Sequence, residues 1–232
     1  FRLGQDGTFV EAGPEPARGT DESVIWRARR LLAEDKPDAA KGLLNDWIRE
    51  NKRGRSPYLA EAYLLRGDAG VADDNEWKAL YDYETVIKSF ASSESFPVAV
   101  QREFEIGLAY LNGLRRKFFG TFRFENAEPI GEGLLIRVQE RVPGSRLAEK
   151  AAIELADYYY RRRDMRLASE MYGIFLVNYP QSDLRRHAAM RQIYANIAAF
   201  KGPSYDSSSL IESRALIERF RNRYPAAAHE AG

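Results

Sequence analysis

The chain has 232 residues, of which 44% are apolar, 30% charged and 12% aromatic, with a formal charge of +1 and no cysteine. That much apolar surface offsets chain entropy and excludes disorder throughout, and the length suits one large domain or two small ones. Without cysteine there is no disulfide framework, thiolate nucleophile or Cys-based metal site, and a charge near zero gives no global attraction to nucleic acid or anionic lipid.

Residues 1–20 hold Gly4, Gly7, Gly13, Pro14, Pro16 and Gly19 with no periodic apolar pattern, which predicts a flexible lead-in or tether. The chain starts at Phe1 without methionine, which leaves room for a signal peptide or lipid anchor upstream of Phe1. No apolar run is long enough for a membrane-spanning helix, because charges interrupt every candidate. From Asp21 onward apolar residues recur at three and four residue spacing, in segments of about 12 to 18 separated by polar breaks. This is the pattern of consecutive amphipathic helices. Only the aromatic stretch from Phe118 to Phe124 alternates in the manner of a strand.

The helices repeat. In Glu149 to Ser182, the residues Ala156, Ala168, Tyr172, Phe175 and Pro180 occupy positions 8, 20, 24, 27 and 32 of a 34-residue unit. Small residues at 8 and 20 let two antiparallel helices approach closely, a ring at 24 closes the interface, and proline at 32 stops the second helix. Gly67, Ala79, Tyr83 and Val86 repeat the spacing, as do Ala28, Ala40, Leu44 and Trp47. Two further units fit with lengthened loops. Gly107 resumes at Gly131, Leu135, Val138 and Pro143, and Ala195 resumes at Ser213, Ile217, Phe220 and Pro225. The expectation is an all-α right-handed superhelix of five helix-turn-helix units over residues 21–227, followed by a loose tail at 228–232. Such a stack leaves a long inner groove suited to an extended peptide.

This register resembles the tetratricopeptide repeat. Within that class, the unit ends Val142-Pro143, Tyr179-Pro180 and Tyr224-Pro225 narrow the likeness. So do the linkers Gly144 to Leu147 and Gln181 to Leu184, and the segment Gly202-Pro203-Ser204-Tyr205-Asp206 before Leu210 to Pro225. Together they are similar to the BamD family of outer-membrane assembly lipoproteins. The likeness spans Asp21 to Pro225 and is strongest from Val142. It implies a lipoprotein at the periplasmic face of the bacterial outer membrane, with residues 1–20 as its tether. It also implies binding of unfolded outer-membrane barrel proteins by the amino-terminal repeats and of barrel-assembly components by the carboxyl-terminal ones. The alternative keeps the repeat scaffold and changes the partners, for example to proteins of cell-wall synthesis and division, or to a cytoplasmic complex.

Catalysis finds no motif. His187 and His229 are the only histidines, which excludes an HExxH pair; no GxSxG or GxxxxGK[ST] occurs, and Gly131-Glu132-Gly133 lacks the third glycine of a dinucleotide loop. The acids Asp73, Asp74 and Asp157 read as solvated faces and caps, and His187 as a solvated residue beside Arg185 and Arg186. The expectation is therefore no enzyme, no catalytic residue, no metal, no cofactor and no nucleic-acid partner.

Two sets of residues are candidates for binding. Positions 2, 5, 9 and 12 of the first helices give Glu22, Ile25, Arg29 and Leu32; Glu61, Leu64, Asp68 and Val71; Gln101, Phe104, Leu108 and Leu111; and Lys150, Ile153, Asp157 and Tyr160. From these, Arg29, Glu61, Asp68, Phe104, Leu108, Leu111, Asp157 and Tyr160 are the expected groove. The second set is the insertion Arg115 to Glu128, where Arg115, Arg116, Phe118, Phe119, Phe122 and Phe124 stand in place of a short polar loop. Four phenylalanines left in water would forfeit ~1.5 to 3 kcal/mol each, so the insertion is expected either to fold back over its own helices or to dock on a partner or lipid surface. The basic clusters Lys52-Arg53, Arg115 to Lys117, Arg161 to Arg163 and Arg185-Arg186 read mainly as complements to helix carboxyl ends.

Overall fold

The computed structural model describes residues 2–3, 9–10, 16–51, 56–118, 122–200 and 208–230. Lys52, Arg53, Phe119 and the segment 202–206 lie outside the described residues, as does the side chain of Phe118. The helices are α1 (Asp21–Ala33), α2 (Pro37–Asn51), α3 (Leu59–Ala72), α4 (Glu76–Ser89), α5 (Ser95–Leu111), α6 (Glu128–Arg141), α7 (Arg146–Arg161), α8 (Met165–Asn178), α9 (Arg185–Ala198), α10 (Ser208–Arg223) and the short α11 (Pro225–Glu230). Strands β1 (Arg2–Leu3) and β2 (Phe9–Val10) pair antiparallel, and β3 (Arg116–Phe118) pairs with β4 (Phe122–Glu125). Helix α11 carries regular structure to Glu230, past the boundary at residue 227 read from the sequence.

The fold is all-α, with helices packed pairwise as tetratricopeptide-like repeats. It divides into two compact units, Phe1–Arg102 with Arg116–Arg123, and Glu103–Arg115 with Phe124–Gly232. In the first unit, α1 packs on α2, α2 on α3 and α3 on α4; in the second, α6 packs on α7, α7 on α8, α8 on α9 and α9 on α10.

Four first helices end in one way. Lys36 N–H donates to Leu31 O at 2.9 Å, Asn75 to Gly70 at 2.7 Å, Leu114 to Ala109 at 2.9 Å and Asp164 to Tyr159 at 3.0 Å. Each bond spans a residue with positive φ: Asp35 at 56°, Asp74 at 56°, Gly113 at 96° and Arg163 at 63°. This is the left-handed closure that satisfies the last carbonyls of a helix and reverses the chain. Aspartate and glycine tolerate it; arginine at 163 does so against its steric preference. Asp164 then caps the next helix, its Oδ1 accepting from Leu167 N–H at 3.2 Å.

The small residues at positions 8 and 20 are all interior: Ala28 with Ala40, Gly67 with Ala79, Gly107 with Gly131, and Ala156 with Ala168. They have no room to grow. A Cβ at Gly67 would sit 2.5 Å from the Tyr83 ring, and one at Gly131 would sit 2.7 Å from the carbonyl oxygen of Gly107. Ala156 and Ala168 share one core with Ile153, Met165, Tyr172 and Phe175.

The fifth unit departs from the expected register. Ala195 belongs to the core of α7 and α8 with Ala152, Tyr172 and Phe175, whereas the buried residue of α9 that clusters with Leu216 and Phe220 of α10 is Ile193, flanked by Ala189 and Met190. Ser213 and Phe220 point inward as expected, yet Ile217 is exposed and Leu216 takes the inner place. A small residue at the right spacing thus marked the wrong side of α9.

Two stability tests follow from this packing, both read by urea unfolding. Ala168→Leu should lose about 1 to 3 kcal/mol by overpacking, and a loss below about 0.5 kcal/mol would mean that no tight helix contact exists there. Gly131→Ala should lose about 1 kcal/mol or more. Gly133→Ala, where a Cβ meets nothing within 4 Å, should gain about 0.5 to 1 kcal/mol in the same helix; equal effects at the two sites would contradict the Gly107–Gly131 approach.

Candidate functional site

Successive first helices are joined by one recurring contact. In the first unit Arg29 on α1 pairs with Glu61 on α3, and Asp68 on α3 accepts from Arg102 Nε on α5 at 2.9 Å and from the Tyr83 hydroxyl at 2.8 Å. In the second unit Asp157 on α7 accepts from the Tyr172 hydroxyl, and its Oδ1 lies 3.3 Å from His187 Nε2 on α9. Position 9 of one repeat thus reaches the beginning of the next first helix. Burial first, and donation to Asp157 second, push the Tyr172 hydroxyl far above its ordinary pKa. Asp157 is thereby engaged on two sides.

Beside it, Tyr160 on α7 lies under the Arg191 guanidinium, 4.4 Å from ring centroid to Cζ, and edge-on to Tyr172 at 6.3 Å. His187, Arg191 and Tyr194 follow at spacings of four and three on α9 and so share a stripe. Tyr194 is 48% exposed. The result is a face of the second unit in which Asp157 faces His187 and Tyr160 carries Arg191, with Tyr194 exposed on the same stripe.

The expected groove residues divide sharply. Arg29, Glu61, Asp68, Asp157 and Tyr160 are partly exposed and make the contacts above, and Leu108 is half-buried. Phe104 and Leu111 are 8% and 6% exposed, so they belong to the core and not to a binding face. Ile25, Leu64 and Ile153 are buried likewise. Phe104, Ile25, Leu64 and Ile153 share position 5, which faces inward between packed helices, while position 9, one turn on, clears the neighbour; Leu111, at position 12, is buried against Gly131. A fifth repeat aligned on Ala195 does not place Arg191 and Tyr194, or His187, at groove positions, although their spacing of four and three puts them on one stripe of α9. His187 is no isolated solvated residue, since Asp157 faces it.

The insertion folds back on its own helices through its basic residues, while the exposed rings of β4 leave a docking role open to test. Its basic residues anchor it: Lys117 Nζ lies 3.5 Å from the Asp74 carboxylate, and Arg123 donates to Glu76 at 2.8 and 3.1 Å and reaches Asp74 at 3.2 Å. Glu76 and then Asp74 hold the Arg123 guanidinium above its ordinary pKa, against burial. Arg116 stacks on Trp77 at 4.5 Å, and Arg115 donates to Phe124 O at 3.1 Å. The two rings of β4 fill no gap between helices: Phe122 is 70% and Phe124 53% exposed. Along β4 the phenylalanines alternate with Arg123 and Glu125, so charge holds the strand while the rings face water.

Among the described residues no group of three or more His, Asp or Glu side chains is placed to hold a metal, and no helix is long and apolar enough to cross a membrane. A recess of 1160 Å³ lies between α8, α9 and the start of α10, with Glu170, Glu212, Arg163 and Arg166 among its lining residues. Elsewhere in the second unit, Arg162 pairs with Glu128, and the Tyr158 hydroxyl lies 3.1 and 3.2 Å from Glu128 and Glu132. Tyr159 donates to Glu132 at 2.9 Å. Burial, followed by Glu132, pushes Tyr158 and Tyr159 up to about 12.

No protein family model matches the chain, and no curated protein matches it either. Among solved structures, it is similar to the nearly identical TPR-like repeats of a putative kinesin light chain from Podosopora anserina. A singly substituted form of those repeats is 18% identical, with 86% of this chain and 92% of that one covered, at a TM-score of 0.43. The unsubstituted form is 17% identical, with 86% and 92% covered, at a TM-score of 0.41.

The tyrosine cluster predicts an alkaline limit. Folding raises Tyr158 and Tyr159 above their ordinary value of 10.0, so as pH rises the unfolded chain releases these protons first. Their contribution is whole below about pH 10 and is lost toward about pH 12. The urea midpoint should fall over that window and fall less in Tyr158→Phe/Tyr159→Phe; an identical decline in both proteins would refute the assignment.

Proposed function

We propose that the chain is a non-catalytic scaffold that binds extended segments of other proteins along the face that α7 and α9 form in its second unit. The observation that carries this is the cluster Asp157, Tyr160, His187 and Arg191, in which polar and aromatic groups from two successive first helices are held in place before any partner arrives, with Tyr194 exposed on the same stripe of α9. Preformed side chains lose little further freedom on binding, and half-exposed rings supply apolar area to a guest strand.

The finer reading follows the BamD resemblance. Its clients are unfolded outer-membrane barrel proteins, handed on together with barrel-assembly components, and it works as a lipoprotein at the periplasmic face of the bacterial outer membrane, anchored upstream of Phe1. The repeat spacing and the unit ends from Val142 to Pro225 support it. The ribbon offers a second contact, since Phe122 stands exposed next to Arg123, which ties the strand to Glu76.

The test is fluorescence anisotropy with a labelled peptide copying the last strand of an outer-membrane barrel. The purified chain should bind it, and Tyr160→Ala/Tyr194→Ala should bind about tenfold more weakly while keeping its helical circular dichroism. Unchanged affinity in the double variant would overturn the assigned face.

A further inference from the structure

Within each unit, several charged side chains on the first helices are neutralised by a neighbouring first helix. Arg29 has Glu61, Arg102 has Asp68, and His187 has Asp157. Arg191 differs. No carboxylate pairs with it among the described residues, although its guanidinium is fixed on the Tyr160 ring. Asp157, the acid of this cluster, is engaged by the Tyr172 hydroxyl and His187.

We infer that Arg191 is a receptor for an acidic side chain within an extended partner segment, with Tyr160 and Tyr194 taking apolar groups on either side. This rests on the reading of the face that α7 and α9 form as a site for extended segments. A guanidinium stacked on a ring keeps its N–H edges free, and its plane is set before binding. A carboxylate meets that edge with two parallel charge-assisted hydrogen bonds, the geometry for which arginine is suited and lysine is not. The acid sits inside the segment and not at its carboxyl terminus, because the stripe continues past Arg191 in both directions, to His187 one turn before and to Tyr194 one turn after. The guest chain therefore runs on beyond the contact.

The experiment uses the full chain and three amidated or free-ended probes of about ten residues, alternating serine with aromatic residues. The first has a central glutamate and an amidated end, the second a central glutamine and an amidated end, and the third a central glutamine and a free terminal carboxylate. The wild type should bind the glutamate probe about tenfold more tightly than the glutamine probe. Arg191→Gln should reduce that preference to within about twofold, Arg191→Lys should keep only part of it, and Arg186→Gln, one helix face away, should keep it whole. Equal binding of all three probes by the wild type would overturn the arginine receptor and leave the binding face standing. A preference for the free-ended probe would overturn the internal acid. Loss of the preference in Arg186→Gln as complete as in Arg191→Gln would overturn it in favour of general charge attraction. Failure of every probe to bind would overturn the binding face itself and the inference with it.

Discussion

Two helices of a pair can approach closely only where neither carries a side chain larger than a methyl group, and this limit governs the molecule. At Gly107 and Gly131 the contact is backbone against backbone, and Ala156 and Ala168 are both fully buried in one core. A close crossing of this kind lets the ring or branched side chain at position 24 lie over the small residue opposite, as Tyr83 does over Gly67. Once that ring is seated, rotation of the first helix about its own axis would drive it into the backbone. The outward stripe of the helix is then fixed as well, which places Asp68 and Asp157 at the surface and turns position 5 inward.

The polar contacts act within this frame. Pairs such as Arg29–Glu61 and His187–Asp157 are partly exposed, and contacts of that kind contribute ~0 to 1 kcal/mol each. They are better understood as setting the register between repeats than as holding the fold together. The hydroxyls of Tyr83 and Tyr172 have a different standing, because each belongs to a fully buried ring and reaches out to the acid on the first helix. One residue thus closes the apolar interface with its ring and fixes a surface carboxylate with its oxygen. Core and binding face are coupled through a single side chain.

The ribbon of β3 and β4 shows the opposite arrangement. Lys117 and Arg123 lie against the turn between α3 and α4, whereas Phe122 and Phe124 are largely exposed. Composition alone favoured burying the rings, since that is where the larger transfer free energy lies. The alternation of a strand gives the chain only two faces, however, and the turn acids Asp74 and Glu76, with the Asp73 carbonyl, claimed the one carrying Lys117 and Arg123. A pattern of period two could be read from the residues; which of its faces would turn inward depended on groups far away along the chain.

By itself the sequence determined the helix pairs, their turns and their small-residue contacts, because these are local or recur at a fixed spacing. Asp35, Asp74 and Arg163 mark the same left-handed turn for the same reason: each follows its small partner, Ala28, Gly67 or Ala156, by one common interval, at the point where a helix of that length must end. The tertiary structure decided what the spacing could not. It turned Ile193 and not Ala195 toward α10, buried Phe104, and brought Arg191 over Tyr160. Those outcomes depend on how one helix is rotated against its neighbour, and a rotation of one residue, about 100° around the axis, changes a side chain from core to surface without altering the repeat.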